Sequence, residues 1–315
     1  MLITMLGGGI GCSRLAVPLA ALSDLTLVVN TADDLHRYGL RICPDIDTNL
    51  YALAGLRDRQ RGWGVAGDTF RTMGRLRDLG HDPWFNLGDL DLATHIMRTE
   101  LLGAGRTLTE TTAALALSMG VGVRVLPMTD DEVGTVVTTT DGQHPFQEWF
   151  VRMGAAGPVE SVEYEGIEDA SATPEVLASV CDADLVVIGP SSPVASIEPI
   201  LALPGVRDRL AARRSTVVAV TPIVHATPIV DDGEAHRARS RYNLMQTRGF
   251  SHRSTAVADL YADIAGIFVL DRADGAEASL IERNDQRVIS ADTIVASDGR
   301  TLACAVVSSL LRHRS

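Results

Sequence analysis

Short apolar runs alternate with stretches of helical period along the chain. Residues 2–6 (LITML), 24–30 (DLTLVVN), 184–190 (DLVVIGP), 215–224 (STVVAVTPIV) and 264–271 (IAGIFVLD) are almost continuously apolar, the pattern of strands buried on both faces of a parallel sheet. Residues 13–22, 47–56, 68–79, 90–102, 107–119 and 301–311 place apolar side chains at helical spacing, so each would cover a sheet face with one side and meet water with the other. Strand then helix, repeated, predicts an α/β fold: a Rossmann-like parallel sheet in three layers, wound by helical crossovers. The helices within residues 57–120 predict an inserted helical subdomain, in which Thr107 and Glu110 have the spacing of a capping box. Residues 122–166 alternate in steps of two and contain Asp141-Gly142, a hairpin signal, which predicts a small antiparallel β element. Residues 228–250 (PIVDDGEAHRARSRYNLMQTRGF) are polar and charge-mixed and are expected to form a loop or lid.

Composition narrows the class. The 315 residues are 46% hydrophobic with few aromatics, enough aliphatic material for one α/β domain spanning residues 1–315. A net charge of -12 and a pI near 5.1 argue against a nucleic-acid partner, because phosphate backbones are held by clustered basic residues. All 28 basic residues are arginine, so no lysine is present to act as nucleophile or Schiff-base former. Cys12, Cys43, Cys181 and Cys304 lie far apart and show no metal spacing; reduced, mostly buried thiols are expected. No apolar run approaches the ~18 residues that span a bilayer, and no leader-like segment opens the chain. A cytoplasmic protein without a membrane partner is expected.

The chemistry gathers where strands run into helices. GGGIGCSR sets Gly7, Gly8, Gly9 and Gly11 between the first strand and first helix, where backbone N–H groups approach a phosphate; a plain tight turn uses the same glycines. The dinucleotide fingerprint starting at Gly7 would need glycine where Cys12 stands, which disfavours a nicotinamide dehydrogenase. Arg14 is placed to add a charge-assisted contact. Asp33, Asp34, Asp45 and Asp47 follow the second strand; they read either as hard oxygen ligands for Mg²⁺ or as helix caps and an Asx turn. Asp91 and His95, four apart on one helix face, read as a zinc pair or as a hydrogen-bonded histidine, and Asp68 as the N-cap of the helix after it. IGPSSPVASIEPIL (188–201) carries Gly189, Pro190, Ser191 and Ser192 out of a buried strand. Without the flanking glycines of a nucleophile elbow, these serines read as phosphate- or base-binding groups.

NTADDL, GL-x-I-x-PDIDT, GW…DTF, LGDLDLATHIMR, LPMTDD, FQEWFVR, IGPSSPVASIEPIL and TPIV occur in this order. Together they resemble the 2-phospho-L-lactate transferase family of coenzyme F420 biosynthesis over residues 1–224, with a looser echo from residue 254 onward. The resemblance implies Mg²⁺-dependent transfer of a phospho-acid (2-phospholactate, phosphoenolpyruvate or 3-phosphoglycerate) from a GMP-diphosphate donor. The acceptor would be the ribityl hydroxyl of the deazaflavin Fo, and GMP would be released. It further implies that Asp47 and Asp34 are catalytic, that Asp47 and Asn86 contact the acceptor, and that Asp34, Asp33 and Asp45 hold the metal. Gly7, Gly8, Gly9, Gly11, Arg14, Gly189, Pro190, Ser191 and Ser192 would receive the donor.

The chain departs from the family at three places. Asn86 stands where a Lys or Arg is usual, which keeps hydrogen bonding and loses charge. Ser192 replaces an asparagine. After TPIV the segment is longer and carries Arg237, Arg239, Arg241 and Arg248, either as a solvated charge-mixed stretch or as a site for extra negative charge on the donor. These departures sustain a rival reading, a non-catalytic nucleotide- or nucleotide-sugar-binding regulatory protein of the same superfamily. A homodimer is compatible with such a fold.

Overall fold

The computed structural model describes residues 1–293 and 299–311. The chain begins with β1 (Leu2–Gly7), α1 (Gly9–Ala20) and β2 (Asp24–Val29), a parallel unit in which Leu2 pairs with Asp24 and Gly7 with Val29. A two-stranded hairpin, β3 (Leu35–Arg37) and β4 (Leu40–Ile42), turns on Tyr38 and Gly39, both with positive φ. The helices α2 (Pro44–Leu53), α3 (Arg71–Asp78), α4 (Asp89–Gly103) and α5 (Leu108–Ser118) follow before β5 (Arg124–Pro127). Next come β6 (Gly134–Thr139), β7 (Gly142–Pro145), a π-helical turn at Glu148–Arg152, and β8 (Val159–Glu165). The parallel pattern resumes with α6 (Pro174–Asp182), β9 (Leu185–Ile188), a second π-turn at Pro193–Ile197, α7 (Glu198–Ala202) and α8 (Val206–Ala212). The chain continues through β10 (Val217–Val220), α9 (Asp232–Thr247), α10 (Ser254–Leu260), β11 (Ile267–Asp271), α11 (Ala278–Glu282), β12 (Arg287–Ala291) and α12 (Arg300–Leu311).

Seven strands form one parallel sheet in the order β12-β11-β10-β9-β1-β2-β5, the expected Rossmann-like architecture. Continuous apolar runs are used on both faces: Val186, Ile188, Val217 and Ala219 enter one core, while Leu185, Val187, Val218 and Val220 enter the other. Residues two apart share a face because side chains alternate along a strand. α1, α2 and α12 cover one face with Leu15, Leu19, Ile46, Leu302 and Val306; α6, α8 and α10 cover the other with Val176, Val180, Leu210 and Val257.

The structure corrects several expectations. Residues 124–127 do not belong to the antiparallel element; they pair parallel to β2 as the sheet edge, and only β6, β7 and β8 form the antiparallel sheet. The alternation expected through residues 122–166 breaks after β7 ends at Pro145, where Trp149, fully buried, turns inward on a π-helical turn. Residues 228–250 are mostly helix rather than loop: Asp231 caps the sixteen-residue helix α9 by accepting the Glu234 N–H. β12, half-polar and next to Gln286, gave no apolar-run signal. The Thr107–Glu110 capping box forms as expected. The two acids flanking α3 exchange roles: Asp68 accepts the N–H groups of Leu90 and Asp91 at the start of α4. Asp89 accepts those of Arg71 and Thr72 at the start of α3.

Candidate functional site

The chain runs from β1 outward to β2 and β5 on one side, and from β9 outward to β10, β11 and β12 on the other. The crevice beyond the carboxyl ends of β1 and β9 is therefore the topological switch point, where open α/β sheets bind ligands. Gly7–Gly11 leave β1 there, and Gly189–Ser192 leave β9. The Ser191 hydroxyl stitches the two loops, accepting the Gly8 N–H at 3.0 Å and donating to the Gly8 carbonyl at 2.8 Å. A Cβ at Gly8 would fall 1.8 Å from Asp45 Oδ2, and one at Gly11 2.0 Å from the Pro190 carbonyl. Both glycines thus permit close approach of chain to chain. Gly8, the N-cap of α1, has no side chain to offer, and Ile10, Gly11 and Arg14 line the cleft beside it. The Gly8 N–H is taken by Ser191 and that of Gly9 by Asp45, and the positive end of the helix lies beside the space.

The cleft encloses about 890 Å³. Asp33, Asp45 and Asp47 line it and are all buried. Asn30, fully buried, orients the first two by donating from Nδ2 to Asp33 Oδ1 at 2.8 Å and Asp45 Oδ2 at 3.2 Å. Gln147 Nε2 donates to Asp33 Oδ2 at 3.3 Å. It is Asn30, accepting the Ala32 N–H, that makes the expected Asx turn. Asp45 and Asp47 sit in the first turn of α2, whose N-cap Cys43 makes no side-chain bond, so neither caps it. Burial and the facing carboxylates push Asp33 well above the ordinary range. Burial likewise raises Asp45 from 3.8 to about 7, against the Asn30 hydrogen bond that pulls it down. Two desolvated carboxylates sharing one amide donor are an arrangement that a divalent cation relieves. Among the described residues no set of three His, Cys, Asp or Glu side chains is spaced as a complete metal cage; Mg²⁺ fits as an ion on one or two carboxylates with water and phosphate oxygens.

Asp34 is not brought to the cleft. Its side chain, 2% exposed, pairs with Arg41 at 3.0 Å, and Arg41 also holds Glu132 at 2.6 Å. The β3–β4 hairpin delivers Arg41, which engages Asp34 Oδ2 alone; Asp34 Oδ1 is buried with no hydrogen-bond partner among the described residues.

Asp47 belongs to a second network, between α2 and α4. Arg98, fully buried, embraces it with both guanidinium nitrogens, Nη1 lying 3.1 Å from Oδ2. His95 Nδ1 stands 3.2 Å from Arg98 Nη1, and His95 Nε2 3.2 Å from Asp91 Oδ1. Tyr51 donates to the same Asp91 oxygen at 2.6 Å. The i,i+4 pair Asp91–His95 is thus a close polar contact, with His95 Nε2 making no hydrogen bond among the described residues, while Nδ1 meets Arg98. The part of Arg98 in fixing Asp47 left no signal in spacing alone. Asn86 lines the cleft, and its Oδ1 is buried with no partner among the described residues, an acceptor waiting for a donor. Trp63, Trp84, Phe85 and Phe150 form an apolar wall of the same cleft, with the Arg37 guanidinium 4.9 Å from the Trp84 ring.

The four arginines of the α9 segment do not converge. Arg237 and Arg241 line the cleft; Arg239 donates to the Gly154 carbonyl, and Arg248 pairs with Glu198 at 2.9 Å. Ser192 lines the cleft and caps the π-turn by accepting the Ala195 N–H at 3.2 Å. All four cysteines are free, but only Cys12 and Cys43 are buried; Cys181 and Cys304 are exposed, so the expectation of mostly buried thiols holds for half of them. No helix among the described residues is long and apolar enough to cross a membrane.

A parallel sheet whose switch point joins a glycine-rich turn to buried carboxylates defines the class as an α/β protein with its cleft at the carboxyl ends of β1 and β9. The sequence model of the family described as 2-phospho-L-lactate transferase CofD matches residues 3–309, and the chain belongs to this family. It is 41% identical over 293 residues to a 2-phospho-L-lactate transferase of Methanococcoides burtonii, covering 92% of each chain. It is 40% identical over 291 residues to a phosphoenolpyruvate transferase of Thermobifida fusca, covering 87% of each. A crystal structure of a UPF0052-family protein from Bacillus halodurans shares the fold, with a TM-score of 0.64 at 16% identity and coverage of 97% of this chain and 98% of that one.

Proposed function

We propose that this chain is a cytoplasmic, Mg²⁺-dependent transferase of coenzyme F420 biosynthesis. It moves a phospho-acid from a GMP-diphosphate donor to the ribityl hydroxyl of the deazaflavin Fo and releases GMP. The observation that carries the reading is the meeting, in one cleft, of the Ser191-stitched glycine loop with the carboxylates of Asp33, Asp45 and Asp47. The relatives named for 2-phospho-L-lactate and for phosphoenolpyruvate support the reaction class.

The first-turn amides of α1 and Arg14 are positioned to receive the diphosphate, at the positive end of the helix dipole. Asp33 and Asp45 would hold Mg²⁺, which when bound neutralises charge on the phosphates. Asp47, fixed by Arg98, accepts the hydrogen bond of the attacking hydroxyl and aligns its oxygen with phosphorus. As that O–P bond forms, the bond from phosphorus to the GMP phosphate oxygen breaks; GMP leaves with the electron pair, and the hydroxyl proton passes late to Asp47. A loose transition state asks for alignment and charge neutralisation more than for a strong base, which suits a carboxylate held by a guanidinium. The wall of Trp63, Trp84, Phe85 and Phe150 offers stacking surface for a flat tricyclic ring, and Asn86 Oδ1 an acceptor for its polar edge.

The test is a single-turnover assay with Mg²⁺, Fo and GMP-diphosphate donors carrying lactate, enolpyruvate or phosphoglycerate, with GMP and phosphodiester read by mass spectrometry. One donor should yield product, and Asp47→Asn should slow the step by about 10²- to 10⁴-fold while GMP still binds. Absence of product from every donor would overturn the reading.

A further inference from the structure

The cleft-facing side of α9 is unused by the mechanism above. Glu234, Arg237, Ser240 and Arg241 all line the cleft, and their spacing of three, six and seven residues puts them on one helix face. Glu234 bridges the two arginines, with Arg237 Nε at 3.0 Å from one oxygen and Arg241 Nη2 at 2.5 Å from the other. Asp231, at 3.6 Å from Arg237, is 71% exposed and is weakly coupled through water. The side chain of Arg241 is only 10% exposed. Its Nε, and the Nε2 of His252 which also lines the cleft, are buried with no hydrogen-bond partner among the described residues. Burial, and next the nearby Arg241, push His252 down to about 4, so its ring is neutral near pH 7.

A buried donor without an acceptor marks a place where a ligand oxygen can complete the set; of the described arginine Nε groups in that state, those of Arg61 and Arg241 belong to cleft-lining residues. α9 packs against the π-turn Pro193–Ile197, and its inner face and the Pro190–Ser192 loop line the same cleft. A donor seated on that loop would share the cleft with this helix face.

We propose that the inner face of α9 is the recognition subsite for the carboxylate of the donor's acid moiety. Arg241 and Arg237 are its specificity-determining residues, and Glu234 is a latch that holds both guanidiniums in place until the substrate carboxylate takes over one of them. This rests on the transferase reading and adds to it the group by which the acid is told apart from a neutral analogue. Arg239, anchored outward on Gly154, and Arg248, held by Glu198, take no part.

The experiment compares the full chain with Arg241→Gln, Arg237→Gln and Arg239→Gln, using two probes: GMP-diphosphate-lactate and the same compound with its carboxylate converted to the carboxamide. The wild-type chain should prefer the acid over the amide by about 10- to 100-fold in kcat/KM for the donor, the range that charge-assisted bonds supply. In Arg241→Gln or Arg237→Gln that preference should collapse through loss of the acid alone. The amide rate, the affinity for Fo and the behaviour of Arg239→Gln should stay as in the wild type. A melting scan identifies a variant that fails to fold; the other arginine then carries the test. An unchanged acid-to-amide ratio in both variants, or an equal loss of Fo affinity, overturns the subsite while leaving the transferase reading standing. A wild-type chain that neither binds nor turns over either donor overturns the transferase reading itself and the subsite with it.

Discussion

At the residue scale, the site depends on contacts too close for any other residue. Gly8 lies beneath Asp45, and a Cβ there would sit 1.8 Å from the carboxylate oxygen. Gly8→Ala is therefore expected to push Asp45 away from Asn30, to cost about 1–3 kcal/mol of stability as an overpacked site, and to abolish Mg²⁺-dependent stabilisation. Urea unfolding with and without Mg²⁺ measures both effects. Normal stability with an intact Mg²⁺ response would refute the close-approach account. The aspartates show how far sequence goes at this scale. Four acids after a buried strand announce a site, but Asp33, Asp34, Asp45 and Asp47 have the same chemistry, and spacing does not separate them. Their partners do: Asn30 for Asp33 and Asp45, Arg41 for Asp34, Arg98 for Asp47.

At the scale of elements, strands with unbroken apolar runs were legible because burial on both faces leaves no room for polar positions. β12 and the β3–β4 hairpin were not, since half-exposed edges and a two-residue turn on Tyr38 and Gly39 leave a weak pattern. α9 misled for a related reason. A helix that carries salt bridges on one side and packs few apolar residues, among them Leu244 and Met245, reads like a solvated loop. The π-turn after β9 gives a direct test of a family departure. Ser192 already caps it through Ala195, so Ser192→Asn, which also caps well, should shift stability by less than about 0.5 kcal/mol. Ser192→Ala should lose about 0.5–2 kcal/mol. Equal midpoints for Ser192→Ala and the wild-type chain in denaturant titration would show that the cap contributes nothing.

At the scale of the whole molecule, the crevice gathers negative charge into a buried place, and this couples folding to pH. Asp45, raised in the fold from 3.8 to about 7, binds a proton more tightly folded than unfolded. Its contribution to stability is present at low pH and is lost as pH rises through that window, because the folded chain must then hold an unprotonated carboxylate beside Asp33. Without Mg²⁺ the thermal midpoint should fall between about pH 5 and about pH 8. Added Mg²⁺ should restore it at the upper pH and do little at the lower, where protons occupy the carboxylates. Asp45→Asn should flatten both responses. A midpoint that rises with pH, or a Mg²⁺ effect that survives Asp45→Asn, would refute the pairing of Asp33 with Asp45.

The sequence by itself determined the class of fold, the glycine turn after the first strand, and the acid cluster. Each of these is written in local patterns: runs buried on both faces, glycines at a strand end, carboxylates where no core can take them. Tertiary structure alone decided which of those groups meet. Ser191 reaches Gly8 across 183 positions, Arg98 reaches Asp47 across 51, and Arg41 reaches Glu132 across 91. Such pairings depend on the order of strands in the sheet and on the helices that pack behind it. Contacts between distant segments follow from how those layers close, and no local period encodes them.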